Sequence, residues 1–187
     1  PSCSSWCAPL PPSPKTATIR IIAGPLKTDD SLAAKRGTRV SVGQMLGWRP
    51  LDIFRGSRGH GDWCAEREEH ELHTYSALGW VRKWKLEEDG DYHIEITGTK
   101  AGDPKRCIIV EIPPDNEGPQ FALARRQFHN LLGDRPRGEL DDPVRMRFIG
   151  AAFFDGWHWS NGATKGIGHG SCNVSVWEIH PVYAVSK

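Results

Sequence analysis

From residue 70 onward, apolar and polar positions alternate regularly enough to predict elements one by one. Residues 72–86 (LHTYSALGWVRKWKL) read as a long strand. After the acidic turn Glu87-Glu88-Asp89-Gly90, residues 91–97 (DYHIEIT) alternate cleanly. Tyr92, Ile94 and Ile96 fall on one face, and Asp91, His93 and Glu95 on the other. Residues 106–112 (RCIIVEI) are rich in β-branched side chains, which favours a third strand. Residues 119–132 (PQFALARRQFHNLL) change to a helical period, with Phe121, Ala124, Phe128, Leu131 and Leu132 on one side. Pro119 suits the first helical turn and Gly133 the stop. Strands follow at 143–154 and 174–185, with Pro181 marking an edge or a bulge in the last.

Three strands, a helix and two strands form the order of a mainly β, five-stranded OB-fold-like barrel with one helix between its third and fourth strands. A half-open α+β sandwich would share that order. The domain plan is a Pro/Ser-rich tail (1–16), an irregular N-terminal extension packing on the barrel (17–64), and the barrel (65–187). Within the extension, 17–23 reads as a strand and 38–48 as a strand end and a short helix. The connection from Asp155 to Asn173 is about twenty residues, long enough in a compact domain to be functional or mis-assigned.

Charge divides along the chain. The total for 187 residues is +1, which excludes a strongly basic nucleic-acid binder of the simple kind. Residues 1–64 hold nine basic and four acidic residues, whereas 65–187 hold fifteen and nineteen. Any nucleic-acid contact therefore belongs to the basic N-terminal third, while the acidic barrel suits a carboxylate site for a small-molecule or polymer substrate. No apolar run approaches the length of a membrane span. The five cysteines lack zinc-site spacing. They point to an exported, secreted or periplasmic chain with bridges Cys3–Cys7 and Cys64–Cys172 and a free Cys107. A sequon at Asn173-Val174-Ser175 is compatible with export.

Three strings carry candidate chemistry. In Asp89-Gly90-Asp91-Tyr92-His93, a tight Asp-Gly turn leads into a strand on which Asp91 and His93 share a face. His93 lies opposite either Val110 or Glu111, and a one-residue register change decides which. Facing Glu111, it completes an Asp/His/Glu set able to bind a divalent metal (calcium or zinc) or to act as an acid/base pair. In Phe153-Phe154-Asp155-Gly156-Trp157-His158-Trp159, Asp155 and His158 sit past a strand end. In Trp177-Glu178-Ile179-His180-Pro181, Glu178 and His180 share a face. These strings assign His93, Glu111 and His180 to catalysis, Asp91, Asp155 and His158 to a metal, and Trp157, Trp159 and Trp177 to a stacking platform. The function expected is a metal-assisted hydrolase of phosphodiester or similar bonds. The alternatives are a non-catalytic binding module using the tryptophans, for carbohydrate or single-stranded nucleic acid, and a structural domain with its histidines satisfied in the wall. His70 and His73 are discounted as ligands because residues three apart on a strand point to opposite faces. Arg125, Arg126, Arg145 and Arg147 read as solvated faces.

Asp89-Gly90-Asp91-x-His93, Glu111-Ile112-Pro113, Phe153-Phe154-Asp155-x-x-His158 and Glu178-Ile179-His180-Pro181-Val182, in that order, resemble a group of poorly characterised bacterial OB-fold proteins. Those proteins end in a Glu-Leu-His-Pro-Val type strand. The resemblance covers roughly residues 70–185 and implies a barrel without bringing a known reaction. The turn is also similar, more faintly, to that of staphylococcal-nuclease-like OB barrels, which carry Asp-Gly-Asp-Thr and bind calcium. Here Tyr92 and His93 follow instead, and the Arg-Leu-x-Gly-Ile-Asp-x-Pro-Glu stretch of those enzymes is absent.

Overall fold

The structure, a computed structural model, describes residues 28–33, 35–51, 69–155 and 171–187. The elements are β1 (Thr38–Ser41), α1 (Val42–Leu46), β2 (Thr74–Leu86), β3 (Tyr92–Thr97), β4 (Cys107–Ile112), α2 (Pro119–Leu132), β5 (Gly138–Phe154) and β6 (Trp177–Ser186). The predicted run of three strands, a helix and two strands is present from β2 to β6. The sheet nevertheless has six strands rather than five, because β1 adds to β2 in parallel, with Thr38 beside Tyr75. Residues 38–46 are therefore regular, a short strand leading into a helix whose Ser41 cap and Gln44 bond each other reciprocally.

Pairings run β2–β3–β4–β6–β5, and β5 returns to β2, closing a ring of hydrogen bonds. β4 and β6 are parallel, and every other pair in the ring is antiparallel. The main core fills the side of the strands that carries Ile94, Ile96, Ile108, Val110, Ile112 and Ile179. α2 buries Phe121, Ala124, Phe128 and Leu132, with Leu131 half-buried, so its predicted apolar face is the one that packs. Pro119 opens the helix and Gly133 stops it in a left-handed conformation (φ 66°).

Two local features set the geometry of the opposite face. The first is the β2–β3 turn. Gly90 sits at φ 96°, a conformation that side chains other than glycine's strain to adopt, and the Asp89 carboxylate accepts from the Asp91 amide at 3.1 Å. Arg125 of α2 clamps this turn to the end of β4. Its guanidinium donates to the carbonyls of Pro113 (2.7 Å), Ile112 (3.0 Å) and Gly90, and lies 3.9 Å from the Tyr92 ring centre. Arg125 is thus a strut between helix and sheet, not part of a solvated face. The second feature is irregular pairing between β5 and β6. β5 takes three steps from Ile149 to Ala152 while β6 takes five from Ala184 to Ile179. β6 therefore bulges at His180-Pro181, the predicted place, where Pro181 has no ladder donor to lose. Gly150 permits the close approach: a Cβ there would meet the Pro181 carbonyl oxygen, and Ile179 Cγ2 at 2.6 Å.

The disulfide joins Cys107 to Cys172, with Cα atoms 5.0 Å apart, and not Cys64 to Cys172. Cys107 opens β4, and residues 171–173 run alongside it, the Asn173 amide donating to Lys105 O at 3.2 Å. Proximity across the sheet, invisible in sequence spacing, decides that pairing. Cys3, Cys7, Cys64 and the strand expected at 17–23 lie outside the described residues.

Candidate metal centre

Because side chains alternate along a strand, the face of β3, β4 and β6 turned away from the main core carries His93 and Glu95, then Cys107, Ile109 and Glu111, then Glu178 and His180. Pairing settles the open register: His93 faces Glu111, and Glu95 faces Ile109. Parallel pairing of Ile109 with Glu178 then brings His180 beside Glu111. This polar face is buried. His93 and His180 are fully covered, and Asp91, Glu95, Glu111 and Glu178 are each 2% exposed.

The side chains form an alternating chain of carboxylates and imidazoles. Asp91 Oδ2 lies 3.3 Å from His180 Nε2, and His180 Nδ1 lies 2.8 Å from Glu111 Oε2. Glu111 Oε1 bonds His93 Nδ1 at 2.9 Å, and His93 Nε2 lies 3.8 Å from Glu95 Oε1. Glu178 flanks His180 at 3.8 Å, Glu87 approaches His93 at 3.3 Å, and Lys83 reaches Glu95 at 3.6 Å. The Ser171 amide caps Glu95 at 2.9 Å, so the segment held by the disulfide closes one end of the chain.

The charges follow from these contacts. Burial alone would lower the His93 pKa, but its bonds to the Glu111 and Glu95 carboxylates more than offset that and raise it to about 9. Burial likewise opposes charge on His180, and Glu111 and Asp91 hold it well above the ordinary value. For Glu95, burial pushes upward, while His93, Ser171 and Lys83 prevail and keep it low. Carboxylates and imidazoles thus alternate as partners, which is how such groups tolerate a buried position.

Two sets of three ligand atoms come within 4.8 Å of one another: Asp91, Glu111 and His180, and Glu87, His93 and Glu111. Asp91 Oδ2 and both ring nitrogens of His180 are buried at ion-pair distances without a hydrogen bond. A third grouping, Glu95 with Cys107 and Cys172, offers no thiolate because both sulfurs are bonded to each other. The donors present fit a divalent cation that accepts nitrogen as well as oxygen.

Of the residues singled out from sequence, Asp91, His93, Glu111 and His180 converge. Asp155 is buried where β5 ends, its amide donating to Val176 O at 2.9 Å, and joins neither ligand set among the described residues. Trp177 is a core residue, 1% exposed, with its indole N–H on Arg49 O and its ring against Trp48 and Phe154, so it presents no face to a ligand. Trp157, His158 and Trp159 lie outside the described residues. His70 is not a ligand, though for a different reason than strand alternation. It sits in a 3-10 turn (Glu69–Leu72), stacked on Trp48 at 3.9 Å and bonded to Tyr75. Sequence reasoning missed Glu87 as a member of the site. The signal was its place in the acidic turn, where its amide bonds Asp91 O at 2.9 Å.

No family model, curated protein or solved structure matches this chain. Among the described residues, no helix is long and apolar enough to cross a membrane.

Proposed function

We propose that the chain is an OB-fold-like protein with a divalent-metal centre held by Asp91, Glu111 and His180, and that it uses the metal to hydrolyse a phosphodiester or similar bond. The observation that carries this reading is the approach of those three ligand atoms to within 4.8 Å on a buried face. The order of pairings around the ring, with the helix between the third and fourth ring strands, supports the OB-fold-like assignment. An imidazole in the set favours zinc or another transition ion over calcium, which takes oxygen ligands. Three protein ligands leave room for water, as in catalytic zinc sites. A bound ion would lower the pKa of that water and offset negative charge on the substrate. His93 lies beside this set, its Nδ1 2.9 Å from Glu111 Oε1. The disulfide supports an exported location.

The competing reading is a purely stabilising network of ion pairs, favoured by the Lys83 and Lys85 ammonium groups that, with the two imidazoles, face the five carboxylates. The two differ in metal uptake. On the first reading, chelator-stripped protein takes up Zn²⁺ or Mn²⁺, melts at a higher temperature with it, and cleaves bis(p-nitrophenyl) phosphate only when loaded. Because imidazoles must lose protons to bind, affinity falls as pH is lowered. Absence of uptake by atomic emission, with no change in melting temperature, leaves the stabilising network. Uptake without cleavage of the diester or of single-stranded DNA removes the hydrolase assignment and retains the metal centre.

A further inference from the structure

We propose that the centre is dinuclear, with Glu111 as the carboxylate shared by two divalent ions, one held with Asp91 and His180 and the other with Glu87 and His93. This rests on the metal-centre reading above. Glu111 directs its oxygens in opposite directions, Oε2 to His180 at 2.8 Å and Oε1 to His93 at 2.9 Å. The two ligand sets share Glu111 and nothing else. Each has one further carboxylate and one imidazole, a repeated composition around a common residue. Buried donor atoms without hydrogen bonds occur in the first set, at Asp91 Oδ2 and the His180 nitrogens, whereas Glu87 Oε1 of the second set stands in ion pairs with Lys85 and His93. The ammonium of Lys85, 2.8 Å from Glu87 Oε1, already occupies a cation's place beside the second set. Backbone supports both sets at once. Glu87 and Asp91 close the β2–β3 turn through the Glu87 amide, and Arg125 ties that turn to the end of β4 next to Glu111.

The test is ion stoichiometry on the full chain after chelator treatment, by equilibrium dialysis against Zn²⁺ with atomic emission. Two ions per chain are expected. Asp91→Asn and His93→Gln should each retain one, and Glu111→Gln should lose tight binding of both, with circular dichroism confirming that each variant is folded. Should a variant fail to fold, electron paramagnetic resonance of the unaltered protein loaded with Mn²⁺ decides. A coupled pair shows hyperfine spacing half that of an isolated ion. One ion per chain, lost in Asp91→Asn and kept unchanged in His93→Gln, overturns the dinuclear centre and leaves the single one standing. No bound ion at all overturns both.

Discussion

β4 carries two buried surfaces back to back. Toward the main core it presents Ile108, Val110 and Ile112, and on the other side Cys107, Ile109 and Glu111, with the imidazoles of His93 and His180 on either side of Glu111. Burial is nearly equal on the two sides, so exposure does not distinguish them. What differs is how each tolerates being dry. The apolar side gains from leaving water and is indifferent to the fine pairing of its members. The polar side loses hydration and is tolerable only while every charge keeps its partner. Buried titratable groups with shifted pKa values cluster at functional sites, which is the ground for the metal centre proposed above.

Neighbouring substitutions on β4 should expose this contrast most strongly. Glu111→Ala leaves two buried imidazoles without their shared carboxylate, and we expect a loss of about 3–5 kcal/mol in urea unfolding. Ile112→Ala, one residue along and facing the core, should cost about 2–5 kcal/mol by cavity formation. The two are told apart by pH: Ile112→Ala should leave the pH dependence of stability unchanged, and Glu111→Ala should alter it. If both shift it alike, the two faces are not electrostatically distinct.

Reduction of the Cys107–Cys172 bridge, which spans 65 residues, should cost about 4 kcal/mol in the chain-entropy account. It should also loosen the polar face first, because Ser171 caps Glu95; faster amide exchange at Ser171 than at Val110 would register it. Arg125→Leu strips donors from three carbonyls at the turn and at the end of β4, and about 2 kcal/mol is expected, measured by thermal unfolding.

A further effect concerns pH in the metal-free protein. The folded pKa of His93, about 9, lies above the ordinary imidazole value of 6.5. Its contribution is therefore complete below pH about 6.5 and is lost as pH rises through about 9, so stability should decline across that window. His93→Gln should flatten the decline, and a variant with the same slope as the parent protein would show that another group is responsible.

Much of this arrangement is legible along the chain. The helix at 119–132 is bounded by Pro and Gly and carries its apolar residues at helical spacing, so its limits and buried face follow from local chemistry. The strict alternation of 91–97 establishes that Asp91, His93 and Glu95 share a face. Their burial was not legible, because a polar alternating face ordinarily meets water. The Cys107–Cys172 bridge and the strut made by Arg125 were likewise hidden, each joining residues that only folding brings close. Arg125 shows the reason clearly: one position in a helical period looks the same whether its guanidinium meets solvent or three carbonyls.

By itself, then, the sequence determines the order of elements, the turn at Asp89-Gly90-Asp91 and the face each side chain takes, since these depend on backbone preference and on periods of two and 3.6 residues. Only the tertiary structure decided that His93 lies opposite Glu111 and that β6 returns parallel to β4 to set His180 beside the same carboxylate. Strand adjacency and register are settled by packing over the whole ring, not by any local stretch of chain, and a site assembled across three strands exists only once that packing is complete.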